Sequence, residues 1–215
     1  MKIEILCSDL AHPVIVSLKA WAEVMAESAH DVSIYSEKKA LSGGDILFLV
    51  SCSEFIGLKD RQKFKGTFVL HASDLPQGRG WSPHIWSILH GSDQITVSLI
   101  AAEDQIDSGD IWLQSQFKLE GHELLAEINE QLFAAEISLM TELVNNFNEI
   151  VPRKQVGDPG EYMQKRSPAD SKLDPDKTIA EQFEILRVAD FNRYPAFFDY
   201  RGKRYLIKLE KDSND

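Results

Sequence analysis

The sequence predicts an α/β fold in which a Rossmann-like, mostly parallel sheet is followed by a long helix and by a small extension of one short helix and a β-hairpin. Two observations favour this fold. Over the first 110 residues, short apolar runs alternate with amphipathic ones, which is typical of βαβ units. The chain has 215 residues, of which 43% are hydrophobic and 27% charged, and this is the balance of a folded globular protein.

Five short apolar runs are predicted to be the strands of the sheet, namely residues 2–7, 31–36, 45–51, 67–71 and 94–101. Between these strands we expect helices over 13–26, 53–65 and 82–90. The apolar residues of the first helix fall on one side, and Pro13 suits its first turn because that position needs no N–H donor. Gly91 is a natural C-terminal stop for the third helix.

A long amphipathic helix is predicted over 122–149, because apolar residues recur there every three or four positions: Leu125, Ile128, Leu132, Ala135, Leu139, Leu143 and Phe147. Pro152 ends it, and residues 153–178 form a connector rich in proline, glycine and charge. A short helix is expected over 176–188, with four inward-facing side chains: Ile179, Phe183, Leu186 and Arg187. Residues 197–209 predict a hairpin. We therefore expect a main domain over 1–151 and an extension over 152–215 that packs on it.

Composition excludes several classes of protein. A net charge of −11 argues against a broad phosphate-binding surface, so no nucleic-acid partner is expected. Cys7 and Cys52 have no CxxC spacing, which argues against a disulfide framework or structural zinc and favours a reducing, cytoplasmic location. The charged N-terminus and the absence of any run of about 18 apolar residues predict neither a signal peptide nor a membrane anchor.

The chemistry of such a sheet is expected outside the carboxyl ends of its strands, in the segments 7–12, 36–39, 51–54, 71–81 and 104–110. His71 ends a buried strand, and the turns imposed by Pro76, Gly78 and Gly80 leave its imidazole at an open site. Asp107 follows the last of these strands, and a carboxylate beside an imidazole fixes the ring tautomer and can take protons. These two side chains are therefore the candidate reactive pair.

Other kinds of site are unsupported by the sequence. No GxGxxG follows the first strand, and no GxxxxGK or GxSxG occurs, so dinucleotide, P-loop and acyl-enzyme chemistry are not expected. Asp104, Asp107 and Asp110 lie close together in sequence but outside an EF-hand pattern, so no metal is predicted. The simplest interpretation is the direct transfer of a chemical group between two bound substrates.

These motifs resemble those of the formyltransferases that use N10-formyltetrahydrofolate as co-substrate, among them methionyl-tRNA formyltransferases and nucleotide-sugar N-formyltransferases. HASDLP followed by Arg79 and Gly80 is similar to the family's Ser-Leu-Leu-Pro-like turn with Arg-Gly, and IDSGDI is similar to its Leu-Asp-Thr-Gly-Asp-Ile-like loop. His71 and Asp107 stand 36 residues apart, as the family pattern requires. The resemblance covers residues 1–112 and implies a formyltransferase catalytic domain over 1–151.

The tail resembles the nucleotide-sugar branch of that family, because it carries Arg-x-Pro-x-Asp, a short helix ending in arginine, Tyr-Pro-x-Phe and a final hairpin. The closest likeness is to the compact pseudaminic-acid-pathway type. That likeness implies transfer of a formyl group to the amine of a nucleotide-linked sugar, such as a UDP-4-amino-4,6-dideoxy sugar used for surface polysaccharide. Methionyl-tRNA formyltransferases carry a further C-terminal β-barrel, for which 215 residues leave no room.

The resemblance also implies roles for individual residues. His71 would stabilise the charge on the formyl oxygen, and Asp107 would manage the protons of the two nitrogens. The residues expected to bind the folate are Ser51, Cys52, Ser53 and Asp104. Arg79 and Arg166 would bind phosphate, since guanidinium offers two donors. The aromatic residues expected to stack on the base or line the sugar pocket are Trp81, Tyr194 and Phe197, although each could equally belong to the core.

One departure from the family pattern leaves alternatives open. Val69 stands where the family has asparagine and cannot donate a hydrogen bond to the formyl oxygen. Either another donor replaces it, with Ser51 to Ser53 and Ser73 as candidates, or activity is impaired. A formyltetrahydrofolate hydrolase, a folate-binding protein without catalysis and a glycinamide ribonucleotide formylase are the alternatives. The apolar end of the long helix and the hairpin could also support a homodimer.

Overall fold

The computed structural model describes residues 1–212 and contains a six-stranded sheet with the order β2-β1-β3-β4-β5-β6. Its strands are β1 Lys2–Leu6, β2 Asp31–Tyr35, β3 Gly44–Leu49, β4 Phe64–His71, β5 Gln94–Ala101 and β6 Ile111–Lys118. The first four strands are parallel, whereas β5 is antiparallel to both of its neighbours. The predicted α/β class with a mostly parallel sheet is therefore confirmed, with β6 as an unpredicted edge strand.

Four helices cover the sheet, namely α1 Val14–Glu27, α2 Leu58–Arg61, α3 Pro83–Leu89 and α4 Leu125–Asn146. Helices α1 and α4 pack on one face, where Trp21 donates its indole N–H to the Thr141 hydroxyl at 2.9 Å. Beside them, α3 contributes Ile85 and Ile88 to a smaller apolar cluster that also contains Ile95 of β5 and Ile128 of α4. The central strands are buried on both faces, which explains their nearly continuous apolar sequence.

The helix predicted over 53–65 is much shorter in the structure, where only Leu58–Arg61 is helical. The preceding residues are held extended by contacts from outside the segment. The Ser53 N–H donates to the Ser8 hydroxyl at 2.9 Å, and Lys38 Nζ donates to the Phe55 carbonyl at 3.2 Å. Tertiary hydrogen bonds thus override the local helical pattern here and leave an open loop at the end of β3.

The C-terminal part contains α5 Phe183–Arg187 and the predicted hairpin, formed by β7 Ala196–Tyr200 and β8 Lys203–Ile207. Backbone pairing joins the connector to strand β6, through Arg153 and Ile111, and to the loop after β4, through Met163 and Gly80. The expectation that Ile179 faces inward is wrong, because this side chain is 72% exposed just before the short helical turn. Arg187, in contrast, is 2% exposed.

Residues 1–212 bear on two properties, membrane spanning and metal binding. No helix in this range is long and apolar enough to cross a membrane. The same range contains no group of three histidine, cysteine or acidic side chains that could hold a metal ion.

At the end of α4, Phe147 stacks on Trp112 within the main core, while Val151 is 87% exposed. Phe147 therefore packs against the core, and the homodimer expected from the sequence stays a prediction.

Candidate active site

A cavity of about 620 Å³ opens beside the carboxyl ends of β1, β3 and β4. Its wall is built by the loops that follow these strands, by one face of α4, by the loop between β5 and β6, and by residues of the C-terminal segment. A volume of this size suits a small organic ligand. The cavity lies where the parallel part of the sheet predicts a binding site.

His71 lies at the end of β4 on the cavity wall and is 7% exposed. Its Nε2 lies 2.8 Å from the Gly78 carbonyl oxygen. Because a carbonyl can only accept, Nε2 must carry a hydrogen, and Nδ1 is left as the atom that can gain or lose a proton. Nδ1 faces Asp107 Oδ1 at 3.7 Å. This distance is too long for a direct hydrogen bond and leaves the pair open to a bound group.

Asp107 is held from several sides. Its backbone has φ 54°, a left-handed conformation that an aspartate seldom adopts. Its Oδ2 accepts the Gly80 N–H at 2.9 Å. Gln155 of the connector donates to the carbonyl oxygens of Asp107 and Gly109 at 2.9 and 2.8 Å. Arg79 Nη2 in turn donates to Gln155 Oε1 at 2.9 Å. The aspartate is therefore fixed before any ligand arrives.

Two glycines make this arrangement possible. A Cβ on Gly80 would lie 2.3 Å from the Met163 carbonyl oxygen, and one on Gly109 would lie 1.8 Å from the Ala101 carbonyl oxygen. Neither position accepts a larger residue without moving backbone. Each of the two sequence motifs thus contains a glycine where two backbone segments approach closely near Asp107.

The position of Asp107 corrects the prediction that this residue reaches the site because it follows the carboxyl end of a strand. Strand β5 is antiparallel to β4, and its last residue, Ala101, pairs with Phe68, three residues before His71. The carboxyl end of β5 therefore does not share the edge at which β4 ends. The β5–β6 connection instead folds back and brings Asp107 to His71.

One mouth of the cavity is formed by the loop after β3 and the β5–β6 connection. Ser51, Cys52 and Ser53 line it as predicted, whereas Asp104 does not. The Asp104 carboxylate instead accepts from Arg61 Nη2 at 2.9 Å, so it braces the two loops from outside. The lining also includes two largely exposed apolar side chains, Phe55 at 52% and Ile106 at 55%. This mouth offers apolar surface together with polar backbone.

The other side of the cavity includes Trp81, Arg166 and Tyr194, as predicted. The Lys165 ammonium lies 5.0 Å from the centre of the Trp81 ring, and the Arg166 guanidinium lies 5.3 Å from that of Tyr194. Arg166 is only 8% exposed and also donates to the Ser171 hydroxyl at 3.1 Å. Burial lowers the pKa of this guanidinium. Much of its donor capacity therefore serves the protein itself.

Two of the residues predicted to bind the acceptor do not line the cavity. Phe197 is 4% exposed and packs in the hairpin, with the Arg204 guanidinium 4.0 Å from its ring centre. Arg79 lies behind Asp107 and reaches it through Gln155. Phe197 therefore belongs to the core, the alternative that the sequence left open, and Arg79 occupies a supporting position.

The titratable cavity residues that were not among the predicted site residues include His12, His84 and Glu136. Burial, followed by the nearby Arg193, lowers the pKa of His12. Burial and the neighbouring histidines lower the pKa of His84 to about 4. Burial raises the pKa of Glu136 to about 8, and its Oε2 has no hydrogen-bond partner. A glutamate within the apolar stripe of α4 is a sequence signal that could have revealed Glu136.

Comparison with known proteins shows the family of the chain. The sequence model of the family described as formyl transferase matches residues 9–144, which include His71 and Asp107. The chain belongs to the formyl transferase family. A curated relative, the methionyl-tRNA formyltransferase of Rickettsia massiliae, is 28% identical over 146 residues, which are 67% of the chain and 47% of that protein. The chain thus spans about half the length of the curated relatives it matches.

Solved structures of the same fold carry several different descriptions. A methionyl-tRNA formyltransferase from Clostridium thermocellum superposes with a TM-score of 0.83 at 23% identity, covering 100% of this chain and 94% of that one. HypX from Aquifex aeolicus in complex with tetrahydrofolic acid gives a TM-score of 0.81 at 19% identity, over 97% and 37%. A 4-N formyltransferase from Francisella tularensis gives 0.71 at 19% identity, over 99% and 98%. The predicted family and fold are confirmed, and the sugar branch stays a prediction.

Proposed function

We propose that the protein is an N-formyltransferase that moves the formyl group of N10-formyltetrahydrofolate to the amine of a nucleotide-linked amino-dideoxy sugar. The observation that carries this proposal is the pair of His71 and Asp107. These two side chains face each other at 3.7 Å on the wall of a cavity large enough for a small-molecule ligand. They lie within the residues that match the formyl transferase family.

The two residues have complementary tasks in such a transfer. An attacking amine must be neutral at nitrogen and must then lose a proton, and the donor nitrogen must gain one when its bond to the formyl carbon breaks. Asp107, held by Gly80 and Gln155, is placed to take the first proton and return it. His71 has its Nε2 hydrogen committed to Gly78, so it would stabilise the negative charge that develops on the formyl oxygen through Nδ1 once that nitrogen has gained a proton.

The folate fits the mouth that contains Phe55 and Ile106. Exposed apolar side chains there can cover a flat ring, while the polar backbone of the loop after β3 can pair with its edge. When bound, N10-formyltetrahydrofolate supplies an activated formyl group. Ser51, Cys52 and Ser53 are the residues of this chain that we expect to hold it, because they line the same mouth.

The acceptor is expected on the opposite side, where Trp81, Lys165, Arg193 and Tyr194 line the cavity. Cationic groups beside aromatic rings suit a base and a diphosphate. The fold likeness to a solved structure described as a sugar N-formyltransferase, from Shewanella sp FDAARGOS_354, supports a sugar amine. Methionyl-tRNA is the second candidate acceptor, since the sequence also matches methionyl-tRNA formyltransferases.

The proposal is tested by incubating the protein with N10-formyltetrahydrofolate and one acceptor at a time. The acceptors are UDP- and dTDP-linked 3-amino and 4-amino dideoxy sugars, methionyl-tRNA and water alone, and mass spectrometry identifies the formylated product. A formylated sugar nucleotide supports the proposal. Formation of formyl-methionyl-tRNA would show that methionyl-tRNA, rather than a sugar nucleotide, is the acceptor. Release of formate without any amine would indicate hydrolysis. Folate binding without any turnover would refute an enzymatic role.

A further inference from the structure

The proposed transfer places negative charge on the formyl oxygen, and the question is which groups donate to it. His71 offers at most one hydrogen, from Nδ1, because its Nε2 is bound to Gly78. Val69, two residues earlier on the same strand and also on the cavity wall, offers none. Enzymes that develop such a charge generally supply more than one fixed donor. A second donor is therefore expected near the ends of β3 and β4.

Several side chains near these strand ends are unsuitable. Ser73 is buried and does not line the cavity. The Cys52 thiol is a weak donor that already points to the Glu54 carbonyl at 3.5 Å. Ser53 lines the cavity, but no hydrogen bond within residues 1–212 orients its hydroxyl. A donor that is free to rotate gives little preorganised stabilisation.

Ser51 differs from these residues in position and in orientation. Leu49 of β3 pairs with Val69 of β4, and Ser51 and His71 each stand two residues beyond that pair. Ser51 has φ 47°, a left-handed conformation that persists only where the surroundings impose it. Its hydroxyl oxygen lies 3.5 Å from His12 Nε2. The Ser51 hydroxyl thus lines the cavity and, unlike that of Ser53, has a side-chain partner.

The direction of this contact follows from the other side of the His12 ring. His12 Nδ1 accepts the Val14 N–H at 3.2 Å, at the start of α1. Because Nδ1 accepts, a neutral ring carries its hydrogen on Nε2 and donates it to the Ser51 oxygen. The lowered pKa of His12, caused by burial and by Arg193, favours that neutral ring. The Ser51 hydroxyl then has its own hydrogen free to donate into the cavity.

We infer that Ser51 is a catalytic residue that donates its hydroxyl hydrogen to the formyl oxygen, and that His12 is the positioning residue that orients it. The inference rests on the proposed function, because it concerns the same formyl group. No bond is made to Ser51 and no proton is transferred from it. The Ser51–His12 pair supplies the donor that Val69 cannot supply.

The first test is a set of substitutions assayed for transfer. Removing one fixed donor of this kind lowers kcat by about 10²–10³ in other enzymes, and we expect a loss of that order for Ser51→Ala. His12→Asn retains an acceptor for the Val14 N–H but is too short to reach Ser51, so it should lower kcat by about 10-fold. Val69→Asn should restore much of the loss in the Ser51→Ala background and change little alone. Ser28→Ala, at the exposed far end of α1, is the control.

The second test needs no acceptor. Isotope-edited infrared spectra of bound 10-formylfolate, labelled with ¹³C in the formyl group, report the hydrogen bonds to the formyl oxygen. Ser51→Ala and His12→Asn should both raise the carbonyl frequency, and Val69→Asn should lower it again. If the folate binds and no amine is formylated, the proposed function fails, while this spectrum still decides the present inference. An unshifted carbonyl in Ser51→Ala, unchanged turnover in that variant, or absence of folate binding would overturn it.

Discussion

Glu136 provides a test of how the cavity wall is built, because its carboxyl group is buried there and its Oε2 has no hydrogen-bond partner. Burial raises its pKa from 4.5 to about 8. The native state therefore keeps a proton that the unfolded state loses, and the free energy of unfolding falls as the pH rises from about 4.5 towards 8. Each pH unit in this window costs about 1.4 kcal/mol, so the step from about pH 5.5 to 7.5 costs roughly 2 to 3 kcal/mol.

Glu136→Gln removes the titrating group at nearly constant volume, so this part of the pH dependence should disappear. The assay is urea unfolding of the ligand-free protein at both pH values. The stability difference between variant and wild type should be roughly 2 to 3 kcal/mol more favourable to the variant at the higher pH. Glu142→Gln, an exposed carboxylate on the same helix, is the matched control. If the free energy of unfolding changed with pH in the same way in Glu136→Gln and in wild type, the assignment of Glu136 as a buried, unpaired carboxyl group would be refuted.

Further predictions concern the reactive pair and its supports. His71→Asn and Asp107→Asn should each lower formyl transfer by about 100-fold or more, measured by mass spectrometry. Asp110→Asn, in the same loop but outside the cavity lining, should retain activity. Gln155→Leu removes both donors to the Asp107 loop, and stopped assays should give a kcat about 10-fold lower at unchanged helical circular dichroism. Gly80→Ala should lower the free energy of urea unfolding by about 1 to 3 kcal/mol, since φ is 110° there and its Cβ meets backbone.

The sequence predicted those parts of the fold that depend on local pattern. Strands β1 to β5 and helices α1, α3 and α4 follow from apolar runs and periodicity. Strand β6 was missed because it lies at the edge of the sheet, where its apolar run of Ile111, Trp112 and Leu113 is short and is followed by mostly polar side chains. The antiparallel direction of β5 could not be predicted either, since a strand pattern carries no information on direction. The shortened helix α2 reflects tertiary hydrogen bonds, from Ser53 to Ser8 and from Lys38 to Phe55, that no local pattern encodes.

The candidate site shows the same division between local and distant determinants. His71 and Asp107 could be predicted because each sits in a short motif of turn residues at a fixed interval. Gln155 could not, since its role depends on the connector returning to the β5–β6 loop. His12 lay within a segment selected from the sequence, but its contact with Ser51 depends on where β1 and β3 end relative to each other.

The C-terminal connector explains why the two family motifs do not make the site by themselves. The family match ends at residue 144, yet Gln155 holds the loop of Asp107 and Met163 pairs with Gly80 next to it. The backbone of Gly80 in turn donates to the Asp107 carboxylate. The reactive carboxylate is therefore supplied by the matched region and oriented in part by the segment that follows it. Because Trp81 and Lys165 meet over the same backbone pairing, this segment also shapes the side of the cavity where the acceptor is expected.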